Sequence, residues 1–207
     1  TPLYSSAASD VYKRQIRDIQ PDVILTRFSP DPAPTHGHHT ASAILAREAF
    51  RVAATDSFDV DMQAFNQTPW QAKRVYWNIS SFFFQGREKE FNANNYLKID
   101  IGTYNPIRGK GYQEIASDSR SQHKSQGFGT ATSRGSSIEY FQFLGGDSAK
   151  TDVLEGINWS VKRLPRGDAL DLLLQKAKAE YNPNNPSAIT NILIDACLLY
   201  TSDAADE

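Results

Sequence analysis

Apolar residues occur along this chain in short runs. Polar stretches marked by proline and glycine separate them, and the spacing inside each run predicts an element. Asp22-Val-Ile-Leu-Thr-Arg27, directly after Pro21, is a continuous apolar run of the kind buried in a parallel sheet. A proline-containing loop, 28–35, follows, with Thr35 as the expected helix N-cap. Ala41, Ile44, Leu45 and Ala49 then recur at helical spacing, which predicts a helix over 36–54 buried on that face. Residues 55–72 read as loop and short helix. Arg74-Val-Tyr-Trp-Asn-Ile79 reads as a second strand, and Tyr96-Leu-Lys-Ile-Asp-Ile101 alternates as a third. A helix over 112–125, with Ile115 and Ala116 inward, follows the loop that Gly109 and Gly111 punctuate. Ile138 to Leu144 reads as a fourth strand, and 152–164 as a short tail packed on the domain. Beyond it, leucines at helical spacing predict a helix over 168–181. Asn182-Pro-Asn-Asn-Pro186 breaks it, and a further helix starts over 187–196. This order gives an α/β class, compatible with a Rossmann-like, layered, mostly parallel sheet.

Composition adds bounds. The chain has 207 residues, a net charge of −2 and 40% apolar residues, enough for one α/β domain with its own core. Near-neutral, mixed charge gives no footprint for nucleic acid or an anionic membrane. No run approaches the roughly 20 apolar residues of a membrane span. Cys197 is the single cysteine, so no internal disulfide can form. The two ends, TPLYSSAASDVYKRQ over 1–15 and LLYTSDAADE over 198–207, resemble translated sequencing-adapter sequence; the alternative is a pair of polar disordered tails. Set aside, they leave 16–164 as a partial α/β domain and 165–197 as the start of a helical region.

Three of the four histidines fall in Thr35-His36-Gly37-His38-His39-Thr40. His36 and His39, three apart at a helix start, share a face. They follow the C-terminal end of a strand, where open α/β sheets bind ligands. Neutral imidazole is a common zinc ligand, and a catalytic zinc takes three protein ligands plus water. The same cluster also fits a polar helix N-terminus with exposed histidines, or a metal-free catalytic histidine. Asp31 is a possible third ligand. Tyr76, Trp77, Phe82, Phe83 and Phe84 read as core rather than as a sugar-stacking surface, and Arg120 with Lys124 as a solvated helix face.

Two stretches together resemble the PIG-L/LmbE family of zinc-dependent N-deacetylases. Pro21-Asp-Val-Ile-Leu-Thr, a Pro/Asp loop and His36-Gly-His-His39-Thr-Ala-Ser resemble the family's strand, loop and H-P-D-H motif. Lys98-Ile-Asp-Ile101, a helix and His123-Lys-Ser-Gln126 resemble its later V-D-I and H-x-S-Q pattern. The resemblance covers about residues 16–130. It implies zinc as cofactor and His39 as a ligand to it. It implies His36 as the group that stabilises the oxyanion or protonates the leaving amine. His38 stands where the family more often has an orienting aspartate, and Gly37 replaces proline. His123, a lone histidine on a helix, is read first as a structural group.

The family's first motif, A-H-P-D-D-E, which supplies a His and an Asp ligand and the Asp general base, does not occur in the chain. The expectation is therefore a fragment lacking its first strand-helix unit, inactive by itself, from a parent that hydrolyses an N-acetyl amide. The implied substrate is a small amino sugar like N-acetylglucosamine, with no nucleic-acid partner. Two rivals stay open: a metallohydrolase with a self-contained Asp31/His36/His39 site, and a non-catalytic carbohydrate-binding or scaffolding protein on the same fold.

Overall fold

The computed structural model describes residues 3–31, 36–55, 68–84, 86, 88–126, 129 and 131–201. Thr35, most of the 55–72 segment and the side chain of Phe82 lie outside them. The chain divides into two compact units, Thr1–Glu155 and Gly156–Glu207.

The first unit holds a four-stranded sheet. Its strands are β1 (Val23–Thr26), β2 (Arg74–Ile79), β3 (Leu97–Asp100) and β6 (Ile138–Gly146); β4 (Tyr104–Asn105) and β5 (Lys110–Gly111) form a separate small ribbon. The order across the sheet is β1-β2-β6-β3. β1 pairs parallel with β2, placing Leu25 beside Tyr76, whereas β6 pairs antiparallel with both β2 and β3. The expectation of a mostly parallel sheet is corrected accordingly: one pairing of three is parallel. Asp100, at the end of β3, accepts a hydrogen bond from the Ser137 N–H at 2.8 Å, and Ile101 N–H donates to the Ser137 carbonyl. The chain thus re-enters the sheet at the edge where β3 leaves it, so β6 must run back against β3. β1, β2 and β3 still point the same way. The result is a mixed α/β unit.

Helices α1 (Leu3–Ile19), α2 (Gly37–Val52) and α3 (Tyr112–Ser121) complete this unit. α2 packs on one sheet face, where Phe50 meets Ala72 and Val75, with Ile24 and Leu144 alongside. Its buried residues are Ala43, Ala49 and Phe50, while Ala41 is exposed and Ile44 is about half exposed. The inward face is thus rotated from the one that the sequence periodicity suggests. The cause is that α2 has two neighbours, the sheet and α1, whose Tyr12 and Ile16 pack on Ala49 and Ala53. Arg17 of α1 donates to the carbonyls of Ala53 and Thr55 past the end of α2, and Ala53 also accepts the Trp70 N–H. Residues 3–15, set aside in the sequence reading, are thus part of a helix joined to the unit. In α3, Ile115 is half-buried but Ala116 is exposed.

β2 is the most buried strand. Val75, Trp77 and Ile79 face the α2 side, each side chain contributing on the order of 2 kcal/mol by burial. A segment after β6 is fastened across the opposite face. Ala149 N–H donates to the Tyr76 hydroxyl, and Arg74 donates to the carbonyls of Val153 and Glu155. β1, expected as a buried strand, lies at the end of the sheet. Its outer side has no strand partner among the described residues, and Leu25 is 50% exposed.

The second unit contains α4 (Gly167–Glu180) and α5 (Thr190–Thr201). α4 matches the leucine-spaced helix, and a short 3-10 turn, Pro186–Ile189, leads into α5. α5 runs past Cys197 into the segment set aside as a tail. The first unit ends at Glu155, where the sequence reading placed the division after residue 164.

Candidate functional site

The histidine cluster sits at the C-terminal end of β1, and its support is built outward from the core. Trp77 packs against Phe83, and Phe83 meets the edge of Phe28 with ring centroids 6.5 Å apart. Phe28 stacks flat on the His39 imidazole, with centroids 3.8 Å apart and planes 3° apart. The loop below is braced as well. The Thr26 hydroxyl donates to the Phe28 carbonyl, the Trp77 indole N–H to the Arg27 carbonyl, and the Asp31 N–H to the Ser29 hydroxyl.

His36 is the N-cap of α2, in extended conformation, with no hydrogen bond from its side chain to the helix start. Its carbonyl accepts the His39 N–H at 2.9 Å, and the imidazoles of His36 and His39 lie 5.4 Å apart at 68°. The one-face arrangement expected from their spacing is what the structure shows. His38 is exposed, and its side chain makes no hydrogen bond or ring contact among the described residues. His123 follows α3, exposed, with its N–H donating to the Arg120 carbonyl. It is therefore past the helix end rather than on the helix.

Among the described residues no three His, Cys, Asp or Glu side chains converge to hold a metal ion. Asp31 therefore does not complete a self-contained site with His36 and His39. By themselves the described residues do not make up a three-ligand catalytic zinc site; His36 and His39 offer two neighbouring imidazoles.

The core reading of the strand aromatics holds for Tyr76, Trp77 and Phe83, all buried, and Phe84 is half-buried against Phe91. Arg120 and Lys124 are exposed. The sequence reading missed two features. One is Phe28 as the platform under His39; an aromatic in a polar loop just past a strand was the available signal. The other is a polar triad, Arg27, Asn78 and Glu139, across three strands, for which no linear signal exists. Arg27 hydrogen-bonds the Asn78 side-chain carbonyl, and Asn78 Nδ2 donates to Glu139 Oε2 at 2.6 Å.

Three carboxylates outside the cluster are held below their usual range. For Asp100 the main cause is the Ser137 N–H, then the Ser136 hydroxyl and the Gly102 N–H. Glu114 owes its shift first to the Gly111 N–H and then to Arg134. Glu155 is lowered by the Thr151 hydroxyl and the N–H groups of Lys150 and Thr151. Each stabilises a loop that borders the sheet. No helix among the described residues is long and apolar enough to cross a membrane. No family model matches the chain, and no curated protein matches it.

Proposed function

We propose that the intact protein is a metal-dependent N-deacetylase of the PIG-L/LmbE type, on a Rossmann-like sheet, acting on an N-acetylglucosamine-like amino sugar. The single observation that carries the reading is the pairing of His36 and His39 at the C-terminal end of β1, whose outer edge has no strand partner among the described residues. An additional parallel strand against β1 would end beside these imidazoles, which is the position the family's A-H-P-D-D-E motif requires. In this reading His39 would ligate zinc and His36 would face the amide carbonyl. His38 stands two residues from His36, where the family more often has an orienting aspartate. Zinc, when bound, supplies an acidified water and polarises the carbonyl. Phe28 fixes the His39 ring plane, and the exposed His36 imidazole remains open to substrate. The 207-residue chain by itself is expected to be inactive, because two imidazoles do not make the ligand set.

The test is recovery of the coding sequence upstream of α1. An A-H-P-D-D-E-like motif at a strand end supports the proposal. An upstream strand without the His and Asp residues overturns it in favour of a non-catalytic carbohydrate-binding or scaffolding protein. Metal analysis of the present chain adds a second arm. Stoichiometric zinc that is lost in His39→Ala would favour a self-contained metallohydrolase instead.

A further inference from the structure

The polar triad lies on the sheet face opposite α2, at the same C-terminal edge as the histidines. Arg27 immediately precedes Phe28, so one turn of chain carries the guanidinium to one face and the His39 platform to the other. Asn78 holds the triad together. Its side-chain carbonyl accepts from Arg27, and its Nδ2 donates to Glu139 Oε2 at 2.6 Å and to the Tyr140 carbonyl at 3.3 Å. Arg27 and Glu139 are also an ion pair at 3.9 Å, with side chains 57% and 31% exposed. Among the described residues, Glu139 Oε1 and the remaining Arg27 N–H groups keep unused hydrogen-bonding capacity toward solvent. Beside the triad, Leu25, Ile101 and Phe141 line an apolar cleft of about 320 Å³.

We propose that this cleft is a monosaccharide subsite, in which Arg27 and Glu139 hydrogen-bond neighbouring ring hydroxyls while Leu25, Ile101 and Phe141 take the apolar face of the ring. A hydroxyl both donates and accepts, so a vicinal pair is best met by a fixed donor beside a fixed acceptor. A guanidinium and a carboxylate locked by one amide provide that pair, and charge on either partner strengthens each bond. A pyranose also carries a C–H face that gains from apolar contact. The volume lies at the low end of ligand pockets, roughly 300–1,000 Å³, and suits one ring rather than a chain of them. The cleft lies on the sheet face toward the carboxyl ends of β1 and β2. The choice of N-acetylglucosamine as the sugar rests on the deacetylase reading; the subsite itself does not.

The experiment is an NMR-detected titration of the full 207-residue chain with N-acetylglucosamine, with cyclohexanol as an apolar ring lacking vicinal hydroxyls. The expected result is saturable binding with shifts at Arg27, Asn78 and Glu139. Affinity should fall about tenfold in Glu139→Gln and in Arg27→Met, the loss of one charged hydrogen bond. Unchanged melting of both variants would show that they fold. The exposed Arg108→Met should bind the sugar as the parent chain does. No saturable binding, or equal binding of cyclohexanol with both variants unaffected, would each overturn the subsite. An upstream region without metal motifs would sink the deacetylase reading and leave this result standing.

Discussion

Individual side chains show how much one residue organises. Arg74 is a charged residue at the start of the interior strand β2, only 2% exposed. It is tolerated because its guanidinium reaches two backbone carbonyls, those of Val153 and Glu155, at 2.9 and 2.8 Å. Arg74→Met keeps the volume but removes both charge-assisted bonds and strands the two carbonyls. The expected loss is about 2–4 kcal/mol of unfolding free energy, measured by urea denaturation. The exposed Arg108→Met should stay within about 0.5 kcal/mol of the parent. His39 shows the reach of sequence reading at this scale. Its place on the face shared with His36 follows from spacing alone, but its stacking on Phe28 depends on a loop whose path the spacing does not describe. The triad is further from view. Arg27 is 51 residues from Asn78, and Asn78 is 61 from Glu139.

At the scale of elements, the joint between β3 and β6 decides the sheet. Asp100 Oδ1 accepts the N–H groups of Gly102 and Ser137, both at 2.8 Å. Bonds to the ionised form hold its carboxyl below the usual range. A carboxylate with a folded-state pKa below its unfolded value contributes stability above the unfolded value, and that contribution disappears as pH falls through the folded one. Glu114 and Glu155 are lowered in the same sense. The melting temperature should therefore fall as pH drops below about 4. Asp100→Asn should melt lower than the parent at pH 7, and the gap should narrow at pH 3; a constant gap would place the Asp100 contribution elsewhere. Element positions were largely legible. β2 spans the residues expected of it, and β1, β3 and α2 differ only by a residue or two at their ends. The inward face of α2 was not legible, since a helix between two partners buries a wider arc than one apolar stripe.

For the whole molecule, the outer side of β1, which has no strand partner among the described residues, is the feature with physical consequences. β1 has the apolar sequence of an interior strand but an edge position, with no lysine, proline or bulge to blunt it. Such an edge invites strand pairing between copies. Concentration-dependent self-association is expected in light scattering or sedimentation. Leu25→Lys should reduce it, and an association unaffected by that charge would exclude the β1 edge as the contact. The sequence by itself determined the positions of β1, β2, β3, β6, α2 and α4, the α/β class and the one-face pairing of His36 with His39, but not α1. Each of these depends on periodicity and capping within a few residues. Tertiary structure alone decided the strand order, the reversed direction of β6, the edge position of β1 and the meeting of Arg27, Asn78 and Glu139. Those depend on pairings between residues tens of positions apart, where register and chain reversal, rather than local propensity, determine which side chains meet.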